Sequence, residues 1–312
     1  MSDAIEAVKE AYMAFTEGRV EMPPVAHLGL EKYGGEVDIK SGYVEDFGLI
    51  GTKIASNFWD NPKIGLPSGI AVIVLMDIKT SLPLALMDGT YVTRVRTGAA
   101  GAVAANVLAR KNSKIVGVVG AGTQGRMQVL GLDEIFSIKK VKVYDIDESN
   151  REKYSSDMRE RLGIDVQAVE NPRKAVTEAD IIVTASPSRK AIIMDDWIQS
   201  GVHINAIGAD APGKQELDAK IMKRAKIVVD SLTQCRVIGE IQHALSQGLI
   251  MESDIHAEIG EILIGKKKGR ETDDEITIFD STGLAAQDIA AAHVVYQLAK
   301  KRKMGKIVKL LK

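Results

Sequence analysis

Lys114 to Asp147 reads KIVGVVGAGTQGRMQVLGLDEIFSIKKVKVYDID, and the fold turns on this stretch. Ile115, Val116, Val118 and Val119 form a short apolar run of the kind buried on both faces of a parallel sheet. Gly120, Gly122 and Gly125 follow at G-x-G-x-x-G spacing, and Met127, Leu130, Ile135 and Phe136 continue at roughly helical spacing. A second strand, Val141 to Tyr144, runs into Asp145. In a dinucleotide site each of these has a task. Gly120 permits the tight turn, Gly122 lets backbone N–H groups reach a pyrophosphate, and Gly125 lets the helix pack close to the strand. The helix N-terminus offers unpaired N–H donors and a positive dipole end to phosphate. Asp145 suits the adenine-ribose hydroxyls and favours NAD over NADP, because a 2′-phosphate would meet its charge. Arg126, directly after the motif, pulls slightly the other way. The glycine spacing alone is weak; the strand before it, the helix after it and the acid ending the next strand make it specific.

The 312 residues allow two domains with cores of their own. Lys plus Arg number 41 and Asp plus Glu 42, so a net charge of −1 leaves no electrostatic footprint for nucleic acid or an anionic membrane. The single cysteine, Cys235, excludes an internal disulfide and a cysteine-built metal site, and suits a reducing cytoplasm. In the opening MSDAIEAVKEAYMAF, charges interrupt every apolar run, unlike a signal peptide. No stretch approaches the roughly 18 uncharged apolar residues of a membrane span. A cytoplasmic chain with no membrane or nucleic-acid partner is expected.

Outward from the motif, the two flanks differ in pattern. Upstream, Ser2 can cap a helix with Ile5, Val8, Tyr12 and Phe15 on one face, ending near Gly18 before Met22-Pro23-Pro24. VDIKSGYV, LIGTKIASNF, IAVIVLMDI and PLALMDG then read as antiparallel strands, with a turn at Lys79 to Ser81. TYVTRVRTGAAGAVAANVLARKN follows as an Ala- and Gly-rich helix whose backbone can lie close to a neighbour. Downstream, a charged helix (Glu148 to Leu162) leads to a strand near Val166, a short helix at Arg173 to Val176 and a strand at Ile181 to Ala185. Strands at His203 to Ile207 and Ile227 to Val229, helical segments to Ile264, and the strand ITIFD complete the alternation. The predicted class is α/β: a Rossmann doubly wound parallel sheet over 114–284, plus a separate α+β substrate and dimerisation domain. That second domain is expected to comprise 1–113 and 285–312, the last helix (Leu284 to Lys301) returning to it with Ala285, Ile289, Ala292, Tyr296 and Ala299 on one face. The basic tail KKRKMGKIVKLLK reads as a solvated helix end that complements the dipole.

A nicotinamide enzyme acting on an amino or keto acid needs cations for the carboxylate, a proton-moving group at nitrogen and a wall that orients the ring. Lys40 and Lys53 interrupt strand patterns. A lone strand lysine usually points to solvent, but two on adjacent strands facing one cleft reverse that expectation. Arg96, in VRTGAAG, sits near the entry to the glycine-rich helix, where it suits a phosphate or carboxylate, or an interdomain ion pair. Asp210, in HINAIGADAPGKQELD, lies in a loop at the carboxyl end of a strand, where ligands bind in open α/β sheets; its bland alternative is capping a turn. TASPSRK (Thr184 to Lys190) and FDSTGLA (Phe279 to Ala285) are further strand ends, and Ser281 and Thr282 could reach the carboxamide of nicotinamide. The 5 histidines show no metal-ligand spacing, no metal is expected, and His203 reads as a strand residue held by local hydrogen bonds.

With GAGTQG, VRTGAAGAVAA, TASPSRK, HINAIGADAPGKQELD and ITIFDSTGLAAQD together, the chain resembles the ornithine cyclodeaminase/μ-crystallin family almost end to end, and within it the archaeal NAD-dependent alanine dehydrogenase branch. The resemblance implies a homodimer with substrate sites between domains. It places a catalytic lysine on Lys53, a catalytic aspartate on Asp210 and a cofactor- and carboxylate-proximal arginine on Arg96. Where the family usually carries an arginine ahead of that lysine, this chain has Lys40, a point cation in place of a bidentate fork. The short strand and turn usual upstream of the first helix are absent from this sequence. By the same resemblance NAD would contact Arg96 and Thr97, then Gly120, Gly122, Thr123 and Gln124. Asp145, Ile146, Asp147, Ala185, Ser186, Ile207, Gly208, Asp210 and Ser281 would complete the set. The implied reaction is oxidation of a small L-amino acid, with L-alanine favoured. Ornithine cyclodeaminase, cyclic ketimine reductase and a non-catalytic dinucleotide binder are the alternatives.

Overall fold

Two sheets with different connection rules build the molecule, and a computed structural model describes residues 1–309 of it. Helix α1 (Ser2–Thr16) buries Ala4, Val8, Ala11 and Tyr12. The expected Ser2 cap is not made. Met1 precedes the helix, its carbonyl accepts from the Ala4 and Ile5 N–H groups, and Ser2 is already helical. Strands β1 (Val20–Glu21), β2 (Ala26–Leu30), β3 (Gly35–Val44), β4 (Leu49–Phe58), β5 (Gly69–Asp77) and β6 (Pro83–Asp88) form one antiparallel sheet in the order β1-β3-β4-β5-β6, with β2 also on β3. β1 and β2 were not legible: one is two residues long, and the other is exposed along most of its length.

Alternation at period two sorts the two faces of this sheet. Leu49, Gly51 and Lys53 of β4 and Ala71, Ile73 and Leu75 of β5 point inward, while Ile54, Ile70 and Val72 point outward and stay exposed. Helix α2 (Gly89–Leu108), capped by the Asp88 carboxylate at 2.8 Å from Thr90 N, is buried over most of its length.

The second sheet begins with β7 (Ile115–Val119), α3 (Thr123–Asp133) and β8 (Lys140–Tyr144), followed by α4 (Glu148–Leu162), β9 (Asp165–Ala168), α5 (Pro172–Val176) and β10 (Ile181–Thr184). Helix α3 stops at Asp133, so Ile135 and Phe136 lie beyond it and join the core from the connection. Next come β11 (Arg189–Ile193), β12 (His203–Ala206) and β13 (Gln215–Leu217), of which β11 and β13 pair as a small parallel sheet. Then follow β14 (Ala225–Val229), α6 (Leu232–Ile238), α7 (Gln242–Ser246), β15 (Ile255–Glu258), α8 (Ile259–Leu263), β16 (Ile276–Asp280) and α9 (Ala285–Arg302). Strand β15 interrupts the segment that the sequence reads as helical up to Ile264.

The large sheet is parallel throughout, in the order β15-β14-β16-β12-β10-β7-β8-β9. From β7 the chain winds outward through β8 and β9, then returns to the other side of β7 at β10. The doubly wound Rossmann class is therefore as expected, with its switch point between β7 and β10. His203 is buried, its ring nitrogens 2.9 Å from Thr277 Oγ1 and 2.9 Å from Asn205 Oδ1, and burial pushes its pKa down to about 3. It is a structural residue. Helix α9 packs on α1, α2, β3 and β4, and Lys300, Lys301 and Arg302 in its last turn complement the dipole. Positions 310–312 of the basic tail lie outside the described residues. Among the described residues no helix is long and apolar enough to cross a membrane.

Helices α2 and α3 touch through backbone. A Cβ on Gly98 would stand 2.3 Å from Met127 O, and one on Gly131 would stand 2.4 Å from Gly98 O. Gly131→Val should therefore cost about 3 kcal/mol of folding stability, read as a lower urea midpoint at unchanged slope. An unchanged midpoint would contradict the close approach.

Candidate active site

Strand register decides where the two lysines go. Lys40 of β3 stands directly opposite Lys53 of β4, so both project from the same inner face. Two like charges across a strand pair repel, and the fold answers with a carboxylate. Asp288, in the first turn of α9, lies 2.7 Å from Lys53 Nζ through Oδ2 and accepts from Arg96 Nε through Oδ1 at 2.9 Å. Arg96 Nη1 also donates to Gln287 Oε1 at 2.8 Å, and Gln287 Nε2 donates to the Tyr12 hydroxyl. Lys53 is 4% and Arg96 6% exposed, so this ionic cluster is shut away from bulk water.

Arg96 does not sit at the helix entry as the sequence suggested. It lies well inside α2, where helix N–H groups are already spent on the ladder, and its setting is an ion pair with Asp288 of α9, not an ion pair between domains. Asp288 was missed: AAQD at the start of an alanine-rich helix read as packing surface. The available signal was a carboxylate on the otherwise apolar face of a helix predicted to return to the leading sheet.

Burial pushes the Lys53 ammonium down to about 7. Asp288 opposes that fall, while Arg96 and Lys40 add to it. Burial and then Arg96 also lower Lys40, against Asp288, Asp210 and Asp230. Asp288 itself ends below the usual carboxylate range, since Arg96 and Lys53 outweigh its own desolvation. Lys40 Nζ donates to Thr282 O at 3.1 Å and Gly283 O at 2.8 Å, immediately past the carboxyl end of β16. The cationic floor of the first sheet thus meets the rim of the second.

Along that rim the loops follow in spatial order. The Gly120 turn leaves β7 with φ +107°, and the Asp145 carboxylate accepts from Ala121 N at 2.8 Å and Asp147 N at 3.0 Å. Val119, Gly120, Gly122, Tyr144, Asp145 and Ile146 line one side of a cleft of about 450 Å³, with Ala185 to Ser188 and Ile192 on the other. Ile146 is 90% exposed there. Gly122 and Thr123 are exposed at the start of α3, with nothing within 4 Å of the place a Gly122 Cβ would take. Gln124 Oε1 is buried without a partner. Arg126 is engaged elsewhere, 3.2 Å from Asp157 and over the Tyr154 ring.

Other expected contacts are arranged differently. The Asp147 carboxylate caps α4 through Ser149 N and Asn150 N, which takes it away from the cleft. Thr97 is buried and spends its hydroxyl on Thr93 O. Ser281 and Thr282 turn their hydroxyls to Asp230, at 2.9 and 3.2 Å, instead of to open space. Ile207 is buried and Gly208 N donates to Glu216 Oε2 at 3.0 Å. Asp210 is about half exposed, ion-paired with Lys214, and close enough to Lys40 to act on its charge.

This geometry matches known proteins over its whole length. The profile of the ornithine cyclodeaminase/mu-crystallin family covers residues 1–303, and the chain belongs to that family. It is 45% identical to an alanine dehydrogenase of Archaeoglobus fulgidus over 312 residues, 100% of this chain and 95% of that one. Its fold superimposes on an archaeal alanine dehydrogenase dimer with bound NAD at a TM-score of 0.94, with 45% identity, 100% of this chain and 95% of that one covered. A Thermococcus litoralis Delta(1)-pyrroline-2-carboxylate reductase in complex with NADH and L-proline gives a TM-score of 0.95 at 40% identity, covering 98% of this chain and 95% of that one.

Asp288→Asn would leave Lys53 and Arg96 buried without their counter-charge, a loss of about 3–5 kcal/mol. The deficit depends on pH with a definite sign. Asp288 is what holds the Lys53 pKa up, so without it Lys53 sheds its proton at lower pH, and the wild type alone gains by protonating there. The loss should be larger at about pH 6 than at about pH 9, which chemical denaturation at the two pH values checks.

Proposed function

We propose that this chain is an NAD-dependent dehydrogenase of a small L-amino acid, converting L-alanine, NAD and water to pyruvate, ammonia and NADH. The observation that carries the reading is Lys53, buried between Asp288, Arg96 and Lys40 at the rim where a dinucleotide cleft ends. The residues present fit that cofactor. Gly122 leaves room for a pyrophosphate at the start of α3, Asp145 retains acceptor capacity for ribose hydroxyls beyond its two backbone bonds, and exposed Ile146 offers an apolar face for adenine. From Asp145 beyond β8 to Gly283 beyond β16 the rim crosses four inter-strand spacings, roughly 19 Å, a span suited to an extended dinucleotide.

When bound, NAD would supply the hydride acceptor for oxidation at the substrate α-carbon. Lys40 and Arg96 bind the substrate carboxylate. Lys53, with a pKa near the working pH, takes the proton released as water adds and returns it as ammonia leaves. Asp210 holds the substrate nitrogen or orients the water. The outer face of the first sheet, where Ile54, Ile70, Val72 and Leu86 stand exposed, supports a homodimer. We place the domain boundaries at 113/114 and 284/285, in keeping with the packing of α9 on β3 and β4. The free, buried thiol of Cys235 suits the cytoplasm.

A second reading keeps the site and changes the substrate to a cyclic imine, as the reductase from T. litoralis suggests. An amino-acid and imino-acid panel with NAD(H) and NADP(H), followed at the NADH absorbance, separates the two. Net NADH from L-alanine with NAD is the expected result; NADH consumption by a cyclic imine alone favours the second reading, and proline from ornithine without net NADH marks a cyclodeaminase. In the oxidative direction neutral Lys53 is the active form, so kcat/KM should rise with pH through about 7. Lys53→Met should lower kcat by about 10²–10⁴ and remove that limb of the profile.

A further inference from the structure

A buried carboxylate that the reaction does not use lies behind the dinucleotide cleft. Glu216, on β13, is fully buried. Its Oε1 accepts from Ser186 N at 2.6 Å and its Oε2 accepts from Gly208 N at 3.0 Å. These two N–H groups belong to the loops leaving β10 and β12, and the first of these loops lines the cleft. Two glycines let backbone approach the Ala185–Ser186 segment closely. A Cβ on Gly208 would stand 2.2 Å from Glu216 Oε2 and 2.4 Å from Ser186 O. A Cβ on Gly120 would stand 2.5 Å from Ala185 O and 3.2 Å from Ser186 N. The pyrophosphate turn therefore rests on the Ala185–Ser186 segment, and Glu216 fixes that segment to Gly208.

Behind it stands Glu240, almost fully buried, which accepts from Glu216 N at 2.9 Å and from Leu217 N at 2.6 Å and so holds β13 in place. Burial pushes the Glu216 carboxyl up to about 7, against the hydrogen bonds it accepts; burial and then Glu216 push Glu240 up. An apolar side chain here would leave the Ser186 and Gly208 N–H groups without their acceptor. A carboxylate gives two acceptors at a fixed spacing.

We propose that Glu216 is a positioning residue for the dinucleotide, setting the separation of the Ala185–Ser186 and Ile207–Gly208 loops between which its nicotinamide half binds. The inference rests on the cofactor reading above. Glu216→Gln keeps the size but turns an N–H donor toward one of the two backbone donors; Glu216→Asp keeps the charge but falls one methylene short of spanning the loops. Each should lose one charge-assisted contact to the loops, raising the NADH dissociation constant and the KM for NAD about tenfold or more. With saturating NAD, kcat and the KM for L-alanine should stay within about twofold, because uniform cofactor binding is what changes.

NADH fluorescence titration, steady-state kinetics and the cofactor-free thermal midpoint read the three quantities. Either variant, folded and binding NADH as wild type does, would overturn the proposal. So would a fall in kcat with an unchanged KM for NAD, or loss of the folded state in both variants, which would make Glu216 part of the scaffold alone. Failure of the wild-type protein to bind NADH would instead remove the cofactor reading and this inference with it.

Discussion

One carboxylate makes the buried charge in this molecule tolerable. Half-buried Lys40 and fully buried Lys53 and Arg96 converge on one region, and Asp288 faces two of them directly. Ions removed from water lose solvation worth several kcal/mol each, and partners with good geometry recover only part of it. The arrangement is unbalanced as well, since three cations share one close counter-charge. An excess of positive charge in a closed cleft is a poor way to stabilise a fold and a good way to receive a carboxylate. It also lowers the affinity of Lys53 for its proton, because every extra cation nearby disfavours another.

The rest of the architecture serves to bring that cluster to one edge of the parallel sheet. Lys40 and Lys53 come from an antiparallel sheet, Arg96 from the long helix α2, and Asp288 from α9, which re-enters the leading domain after the last strand of the other. The joint is sealed where Lys40 meets the carbonyls of Thr282 and Gly283, and where Gly283, at φ +81°, packs so close to the Arg96 guanidinium that a Cβ would stand 2.5 Å away. Asp230 holds the same loop from the other side through Ser281 and Gly283 N, the latter at 2.6 Å. Movement of one sheet against the other would have to break this joint.

What the sequence made legible follows from how local each signal is. The glycine turn, Asp145 and the alternating strands and helices depend on neighbours in the chain, and their placement needs little beyond periodicity. The pairing of Lys40 with Lys53 was half visible: each broke a strand pattern, but only the register sets them opposite one another on the inner face. Arg96 was placed near the helix entry although the helix read from Thr90 already puts it beyond the first turn, where the N–H groups are spent. The Asp147 carboxylate is engaged locally, as the cap of α4, and the Ser281 hydroxyl is engaged at long range, on Asp230; neither bond can be read from position in the sequence. Glu216 was unreadable: it bonds to groups across a turn and farther along the chain, so nothing around it in the sequence marks it. Asp288 was marked only by its charge on an otherwise apolar helix face.

The lysine at position 40 is best understood from donor counting. An ammonium has three N–H donors, and two are used on Thr282 O and Gly283 O, which leaves one for a ligand. A guanidinium at the same place would offer a planar fork but would be harder to seat on two adjacent carbonyls, whose lone pairs converge on a point. Lys40 therefore trades bidentate grip for a fixed position against the β16 loop. The fork is supplied by Arg96, whose Nε and Nη1 are held by Asp288 and Gln287 while Nη2 keeps its donors. A substrate carboxylate entering here would meet one anchored point charge and one oriented edge, an arrangement that fixes both its place and its rotation. Such a clamp would restrict how the α-carbon of a small amino acid faces the rim, which is the condition a directed hydride transfer imposes.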